Sequence, residues 1–292
     1  MNNNILVTLK CNCDCKYCYQ QDKETEYTWN QIKEQLDNFL HHHTRNQYHH
    51  INIFGGEPFL ALDMIIKIIN YIEIENGIND LQYYIITNGT IINDQIIKFL
   101  KNNKKVNVGI SLDGINEIDN KFRNFKNSNK NIHKIVISNI KKVCNNISND
   151  RITIHTVSNF YNIKNYNQTI EKLYKMGLRK FINVPVRKPV TVNLEFCKQF
   201  IKEHNIISKQ IAKGNYPNIT IDPINFYKKP KKNDKYKINI NTGQVLNDSY
   251  EYKQKYGNCY VIEVLNDNNE IVICDLQYVC LLNHFNNLKK RN

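Results

Sequence analysis

Residues 5–18 read Ile-Leu-Val-Thr-Leu-Lys-Cys-Asn-Cys-Asp-Cys-Lys-Tyr-Cys, a short apolar run followed at once by a cysteine-rich loop. Three of these cysteines, Cys11, Cys15 and Cys18, have the spacing C-x3-C-x2-C. Three thiolates can hold three irons of a [4Fe-4S] cube and leave the fourth iron open to bind a substrate directly. Cys13, inside the loop, is interpreted as a bystander thiol. The stretch therefore predicts a β-strand that leads into a catalytic iron-sulfur loop.

Zinc is the main alternative for this loop. Structural zinc usually takes two separated pairs of ligands, and no matching second pair lies near in the sequence. The nine cysteines of the 292-residue chain do not indicate a disulfide-stapled secreted domain, because the chain is large and its N-terminus lacks the basic and apolar regions of a signal peptide. We therefore expect a cytoplasmic protein with no membrane span.

Short β-branched and aromatic runs alternate with amphipathic stretches after the first strand, which is typical of repeated βα units. A capping box at Thr28 to Gln31 predicts the start of the first helix, and Gly177 the end of the fifth. The predicted fold class is α/β, a six-unit open barrel over 1–213, followed by a basic linker over 214–244 and a short tail over 245–292. Strands are expected near residues 5–9, 50–54, 82–87, 106–111, 152–157 and 180–185.

Further unusual residues follow the later predicted strands, at the carboxyl ends where βα folds place their ligand sites. The second strand leads into Phe54-Gly55-Gly56-Glu57-Pro58, the third into Thr87-Asn88-Gly89-Thr90, and the fourth into Ser111-Leu112-Asp113-Gly114. Two glycines let a backbone approach a ligand closely, and Glu57 offers a carboxylate that can accept a charge-assisted hydrogen bond. Each stretch taken alone can equally be an ordinary strand-ending turn.

Taken in order, these loops resemble the signature of the radical S-adenosylmethionine (radical SAM) superfamily over residues 5–185. The resemblance implies a partial (β/α)6 barrel, a [4Fe-4S] cluster on the three cysteines and S-adenosyl-L-methionine as the cofactor. It also implies an electron donor such as flavodoxin or ferredoxin. The cofactor would be cleaved to methionine and a 5'-deoxyadenosyl radical that abstracts a substrate hydrogen. The residues it implies for cofactor binding are Gly55, Gly56, Glu57, Asn88, Ser111, Asp113 and Val157.

The tail resembles the opening of the SPASM or twitch extension found in peptide-modifying and sulfatase-maturing members. Cys259 and Cys274 frame Asn269, which stands where the family pattern has glycine, and Cys280 follows. Two alternatives stay open: one auxiliary cluster on these three cysteines, or three unmetallated thiols. In relatives an aspartate at the position of Asp275 is a candidate base for deprotonating the substrate, so Asp275 is carried over as a catalytic candidate.

The expected function is hydrogen abstraction from a peptide or protein side chain. One alternative keeps the radical chemistry but makes the substrate RNA or a nucleotide, since the net charge of +13 suits an acidic partner. The excess is mostly lysine dispersed among asparagines, so a solvated surface is favoured over a nucleic-acid site. A non-catalytic iron-sulfur binding module is the third hypothesis.

Overall fold

The computed structural model describes residues 4–42, 50–186, 194–222, 262–265 and 271–274. Seven strands in that part of the chain form one sheet, in which every strand is parallel to its neighbour and the spatial order follows the chain order. The strands are β1 Asn4–Thr8, β2 His50–Gly55, β3 Gln82–Thr87, β4 Val106–Ser111, β5 Ile152–Ser158, β6 Lys180–Pro185 and β7 Thr220–Asp222.

Helices cross between successive strands, as a parallel sheet requires. They are α1 Trp29–His42, α2 Leu62–Asn70, α3 Asp94–Asn102, α4 Ile132–Cys144, α5 Tyr166–Lys175 and α6 Leu194–Ala212. A π-helical turn over Tyr71–Glu75 extends α2. The α/β class and the six strands predicted from the sequence are therefore confirmed.

The seventh strand lies inside the segment that the sequence predicted as a linker. Thr220 pairs with Lys180 and Asp222 with Ile182, so the sheet continues to residue 222 rather than ending before 214. This strand is three residues long and offers too little alternation to be recognised from sequence. Residues 223–244 of the predicted linker lie outside the described residues.

Helix ends follow the predicted local signals. At the start of α1 the Thr28 amide donates to Gln31 Oε1 over 2.9 Å, and the Gln31 amide donates to Thr28 Oγ1 over 3.4 Å, which is the reciprocal capping box. After α5, Gly177 has φ +92°, a left-handed conformation that favours glycine and lets the chain turn towards β6.

The two faces of the sheet differ in polarity. Apolar residues alternate along the strands on the side covered by helices, and Ile110 of β4 lies with Val136 of α4 against Gly89. The opposite face carries half-buried polar side chains, among them Tyr84, Ser111 and His155. Since β1 and β7 are not paired with each other, the sheet stays open. The core residues on the helix side include Ile51, Ile53, Tyr83, Ile85, Val108, Ile110, Ile154 and Phe181.

A separate antiparallel pair, β8 Ile262–Leu265 and β9 Ile271–Cys274, is the described part of the predicted tail. Ile262 pairs with Cys274 at the open end of this pair. Within the described ranges, none of the helices has the length and apolar character needed to cross a membrane. The cytoplasmic location stays a prediction.

Candidate functional site

The cysteine loop, residues 11–18, leaves the carboxyl end of β1 and is held by backbone hydrogen bonds. The Cys11 amide donates to the carbonyl of Lys23 over 3.2 Å, and the Cys18 amide donates to that of Cys15 over 3.0 Å. Cys11 and Cys15 are half-buried and Cys18 is exposed, whereas Cys13 is buried at 3% exposure. Three thiols thus remain near the surface of one loop, and the fourth is withdrawn into the core.

Cys11, Cys13 and Cys15 differ in their electrostatics. A hydrogen bond from Cys13 lowers the pKa of the Cys11 thiol to about 6, and the Asn88 amide acts in the same direction. The pKa of Cys13 is raised well above its ordinary range by that same interaction with Cys11 and by burial. Burial raises the pKa of Cys15 to about 11. Of these three thiols, Cys11 is the most readily deprotonated for metal binding and Cys13 the least.

The chemistry of this donor set suits a [4Fe-4S] cluster. Three thiolates on one short loop can each bind a different iron of a cube. In the ranges that the structure describes, no group of three or more His, Cys, Asp or Glu side chains has the arrangement of a single-ion site. Cys11, Cys15 and Cys18 are the residues that would hold the cluster, and this assignment stays a prediction.

Gly55 and Gly56 lie against the end of β1. A Cβ atom on Gly55 would lie 2.0 Å from the Thr8 carbonyl oxygen, and one on Gly56 would lie 2.3 Å from that of Lys10. The Gly56 and Glu57 amides donate to these same two oxygens over 2.8 and 2.9 Å. The glycines therefore dock the loop after β2 onto the strand that leads into the cysteines, a reason that the sequence did not show.

Glu57 is fully buried, and its carboxylate accepts three hydrogen bonds from the chain itself. Oε1 accepts hydrogen bonds from the Phe59 amide (3.1 Å) and the Thr87 hydroxyl (2.7 Å), and Oε2 accepts from the Asn88 amide (2.7 Å). Burial raises the pKa of this carboxyl to about 7, and the three donors limit the rise. Glu57 thus ties the loop after β2 to the loop after β3. Direct cofactor binding by its carboxylate stays a prediction.

Asn88 connects the loop after β3 to the cysteine loop. Its side-chain amide donates to Asn12 Oδ1 over 2.8 Å and lies 3.2 Å from the Cys13 sulfur and 3.9 Å from the Cys11 sulfur. An N–H group this close to a thiolate stabilises the negative charge of the sulfur. The cofactor contact predicted for Asn88 is untested, but its place beside the cysteines is established.

Asp113 and Val157 meet at the ends of β4 and β5. The Val157 amide donates to Asp113 Oδ1 over 3.1 Å, and the Tyr17 hydroxyl donates to Oδ2 over 2.5 Å. Arg123 pairs with the same carboxylate at 3.0 Å, with side-chain exposures of 7% for Arg123 and 0% for Asp113. Burial opposes the charge on Arg123, yet the Asp113 carboxylate raises its pKa above the ordinary value. The cofactor contacts predicted for Asp113 and Val157 stay predictions.

The predicted Ser111 stands at the carboxyl end of β4, on the half-buried face, in register with His155 of β5.

Sequence reasoning missed His155 and Tyr84. The Tyr84 hydroxyl lies 2.6 Å from His155 Nε2, so a polar pair lines this face of the sheet. Burial, with the charge of Arg123, lowers the pKa of His155 to about 4, and its imidazole is neutral near pH 7. Successive side chains of a strand point to opposite faces of the sheet. Since Tyr83 and Ile154 are on the buried face, Tyr84 and His155 could have been assigned to the other face from the sequence.

The predicted tail residues are only partly within the described chain. Cys274 is the last residue of β9, whereas Cys259, Cys280 and the candidate base Asp275 lie outside the described residues. The auxiliary cluster and the catalytic role of Asp275 stay predictions.

Solved structures share this fold. Native anSMEcpe with bound AdoMet and Cp18Cys peptide superposes with a TM-score of 0.60 at 19% identity, covering 75% of this chain and 62% of that one. Streptococcus suis SuiB bound to precursor peptide SuiA gives a TM-score of 0.54 at 14% identity, covering 75% and 47%. The likeness confirms the open α/β barrel expected from the sequence.

Curated relatives match parts of the chain. A cysteine-type anaerobic sulfatase-maturating enzyme of Clostridium novyi (strain NT) is 36% identical over 140 residues, 45% of this chain and 37% of that protein. An S-adenosylmethionine-dependent nucleotide dehydratase of Selenomonas ruminantium is 36% identical over 115 residues, 39% of each chain. An uncharacterized protein of Methanocaldococcus jannaschii is 37% identical over 122 residues, 41% of each. The chain thus spans less than half the length of each of these three relatives.

The family model of the Radical SAM superfamily matches residues 5–185, from β1 to the end of β6. The matched range holds the three cysteines, the Gly55-Gly56-Glu57 loop and the ends of β3, β4 and β5. Relatives named as a maturating enzyme and a dehydratase agree with the expectation of an enzyme. Because the match covers more than half of the chain, this protein belongs to the radical SAM superfamily.

Proposed function

We propose that this protein is a radical SAM enzyme that abstracts hydrogen from a peptide or protein side chain. The main support for radical chemistry is the loop of Cys11, Cys15 and Cys18. Asn88, in the loop after β3, contacts the Cys11 sulfur, and its amide binds Glu57 in the loop after β2. The chemistry supplied by the bound cluster and S-adenosylmethionine is one-electron cleavage to methionine and a 5'-deoxyadenosyl radical.

The chain's own residues would position the two cofactors. Cys11, Cys15 and Cys18 would hold the cluster, while the buried Glu57 keeps the loops after β2 and β3 in a fixed relation. Ser111 and Val157 lie at neighbouring strand ends, where the cofactor's ribose and adenine are proposed to bind. Tyr84 and His155 line the same face of the sheet and would contribute neutral hydrogen-bonding groups towards a substrate.

Similarity to the Clostridium novyi maturating enzyme favours a peptide or protein substrate, and two structures with this fold are named with bound peptides. A nucleotide is the second candidate, because the Selenomonas ruminantium relative is named as a nucleotide dehydratase. The net charge of +13 also suits a phosphorylated substrate or RNA.

The radical chemistry is tested by anaerobic reconstitution of the chain with iron and sulfide. S-adenosylmethionine and dithionite are then added, and 5'-deoxyadenosine is quantified. Formation is expected in the wild type and in Cys144→Ala, whose thiol lies on α4 away from the loop, and is expected to vanish in Cys15→Ala. A fully loaded protein that forms no 5'-deoxyadenosine, even with candidate substrates present, contradicts the proposal.

Two further readouts address the finer proposals. Iron that remains in Cys15→Ala indicates the auxiliary cluster on Cys259, Cys274 and Cys280, and its absence excludes one. Peptides containing cysteine or serine are compared with nucleoside triphosphates as substrates in the same assay. Modification of a peptide supports the first candidate. Turnover of a nucleotide, or binding of RNA that weakens steeply with salt, supports the second.

A further inference from the structure

The cysteine loop is paired along its length with a distant segment, residues 122–126, here called the strap. The Asp14 amide donates to the Asn124 carbonyl over 2.8 Å, and the Lys16 amide donates to the Phe122 carbonyl over 2.9 Å. The Lys126 amide donates back to the Asn12 carbonyl over 2.9 Å. Cys13 and Phe125 form an antiparallel bridge in the same register. The loop that carries the cysteines is therefore one side of a short antiparallel ladder.

Ion pairs lie near the outer end of this ladder, which is formed by Asn12 and Lys126. Lys126 of the strap forms an ion pair with Glu24, and Lys23 forms one with Asp14 inside the loop. These pairs are partly exposed and contribute little by themselves. The inner end of the ladder, formed by Lys16 and Phe122, is different, since the polar contacts there centre on the buried Asp113 carboxylate.

Asp113 is the buried anchor of that inner end. Its carboxylate accepts from the Tyr17 hydroxyl, which belongs to the cysteine loop, and pairs with Arg123, which belongs to the strap. The same carboxylate accepts from the Val157 amide of β5. One fully buried group thus joins the loop, the strap and two strand ends. A charge-assisted network of this kind holds its members in one arrangement, because the buried Asp113 carboxylate would otherwise lose its donors without access to water.

The path of the chain between Asp113 and Arg123 is fixed as well. A Cβ atom on Gly114 would lie 2.4 Å from the Asp119 Cβ, so the turn closes tightly on Asp119. The Asp119 carboxylate accepts from the Asn116 amide (3.1 Å) and from Asn165 Nδ2 (2.7 Å). Asn120 Oδ1 accepts from the Asp113 amide over 3.1 Å. Asp119 therefore fixes the turn that brings Arg123 back over Asp113.

We propose that Asp113, Tyr17 and Arg123 form a latch that keeps the backbone of the cysteine loop paired with the strap before the cluster is inserted and slows loss of the cluster afterwards. The second half of this statement rests on the proposed function, and the first half does not. Tyr17 and Arg123 act as positioning residues through the loop and the strap.

The test uses the full chain without a cluster. Hydrogen exchange is measured at the Asp14, Lys16 and Lys126 amides, which are the donors of the ladder. Tyr17→Phe keeps the ring and removes only the hydroxyl, so the fold is expected to survive. Exchange at these three amides is expected to accelerate by at least about tenfold, since a hydrogen bond to a charged group is lost. Amides of the sheet, such as those of Ile110 and Ile154, are expected to keep their exchange rates.

Tyr174→Phe is the matched control, because its hydroxyl donates to the Pro217 carbonyl over 3.0 Å at the other end of the sheet. This variant is expected to leave the ladder amides unchanged. Equal exchange in wild type and Tyr17→Phe overturns the latch. An equal acceleration at the ladder and in the sheet also overturns it, since that result shows general destabilisation.

The reconstituted protein gives the second readout. The rate at which a chelator removes iron is expected to rise in Tyr17→Phe and in Arg123→Lys, but not in Tyr174→Phe. Unchanged iron loss alongside faster loop exchange overturns the retention step. A wild-type chain that takes up no cluster refutes the proposed function, and the exchange measurement on the unloaded chain still decides whether the latch exists.

Discussion

The Tyr84 hydroxyl lies 2.6 Å from His155 Nε2 although β4 runs between the two strands that carry them. Gly109 of β4 leaves the space in which the two side chains meet. A Cβ atom at this position would lie 2.7 Å from both polar atoms. Glycine in a strand interior weakens the strand, so its presence here indicates that the polar pair requires the gap.

Gly109→Ala is expected to separate Tyr84 from His155 and to lower the free energy of unfolding by about 1–3 kcal/mol, because the new methyl overpacks the site. Urea denaturation measures this cost. The same substitution made in a Tyr84→Phe, His155→Ala background should cost less, since the obstructing atoms are gone. Equal costs in both backgrounds contradict the role assigned to Gly109.

The buried His204 is expected to make the free energy of unfolding decrease in acid. It lies on α6 at 2% exposure, its Nδ1 is 2.8 Å from the Phe200 carbonyl oxygen, and burial lowers its pKa to about 4. The unfolded chain, with a histidine pKa of about 6.5, binds more protons between these two values. Stability is therefore expected to fall as the pH drops from about 6.5 to about 4, by at most about 3 kcal/mol from this group.

The slope of unfolding free energy against pH tests this assignment. His204→Gln is expected to reduce the slope between pH 6.5 and 4, and His155, whose pKa is also lowered to about 4, supplies part of the slope that remains. His41→Gln, at an exposed position near the end of α1, should retain the full slope. A slope that is unchanged by His204→Gln shows that other groups cause the acid sensitivity.

Local signals in the sequence predicted most of the fold. The Thr28 capping box, the glycine after α5 and the six periodic strands are encoded within a few neighbouring residues. The three-residue β7 carries no such pattern, and it forms because its backbone completes an edge beside β6. The strap over 122–126 was invisible for a related reason: its partners lie more than 100 residues away, and antiparallel bridges through backbone atoms leave no side-chain signature.

The candidate site shows the same division. The cysteine spacing and the order of the loops predicted which residues gather at the strand ends, and the family match supports that order. The sequence did not reveal what each residue contacts. Glu57 and Asp113 are predicted to bind a cofactor, and the structure adds that both carboxylates are buried and accept hydrogen bonds from the chain. Motif residues can hold a site together as well as line it.

Gly56→Ala tests whether docking onto β1 is the reason for this glycine. The added Cβ would lie 2.3 Å from the Lys10 carbonyl oxygen and 2.4 Å from that of Leu9, and backbone atoms cannot rotate away. We expect a loss of unfolding free energy above about 3 kcal/mol, or a protein that does not fold.

Gly77→Ala is the control. Nothing lies within 4 Å of its Cβ, and its φ of +66° predicts a cost of about 1–2 kcal/mol from backbone strain alone. Similar costs at the two positions contradict the docking role.

Glu57→Gln tests the link between the loops after β2 and β3 with almost no change of shape. The Phe59 and Asn88 amides donate to different oxygens of the Glu57 carboxylate, and backbone donors cannot reorient. Whichever way a glutamine amide is turned, its NH2 group faces one of these N–H groups. The unfolding free energy is therefore expected to fall by about 1–3 kcal/mol, the cost of leaving a buried donor unsatisfied. Glu34→Gln, on the exposed face of α1, should change it by less than about 0.5 kcal/mol. Denaturation is measured well above pH 7, where the Glu57 carboxyl with its pKa of about 7 is ionised, and equal effects of the two substitutions show that Glu57 does not hold the loops together.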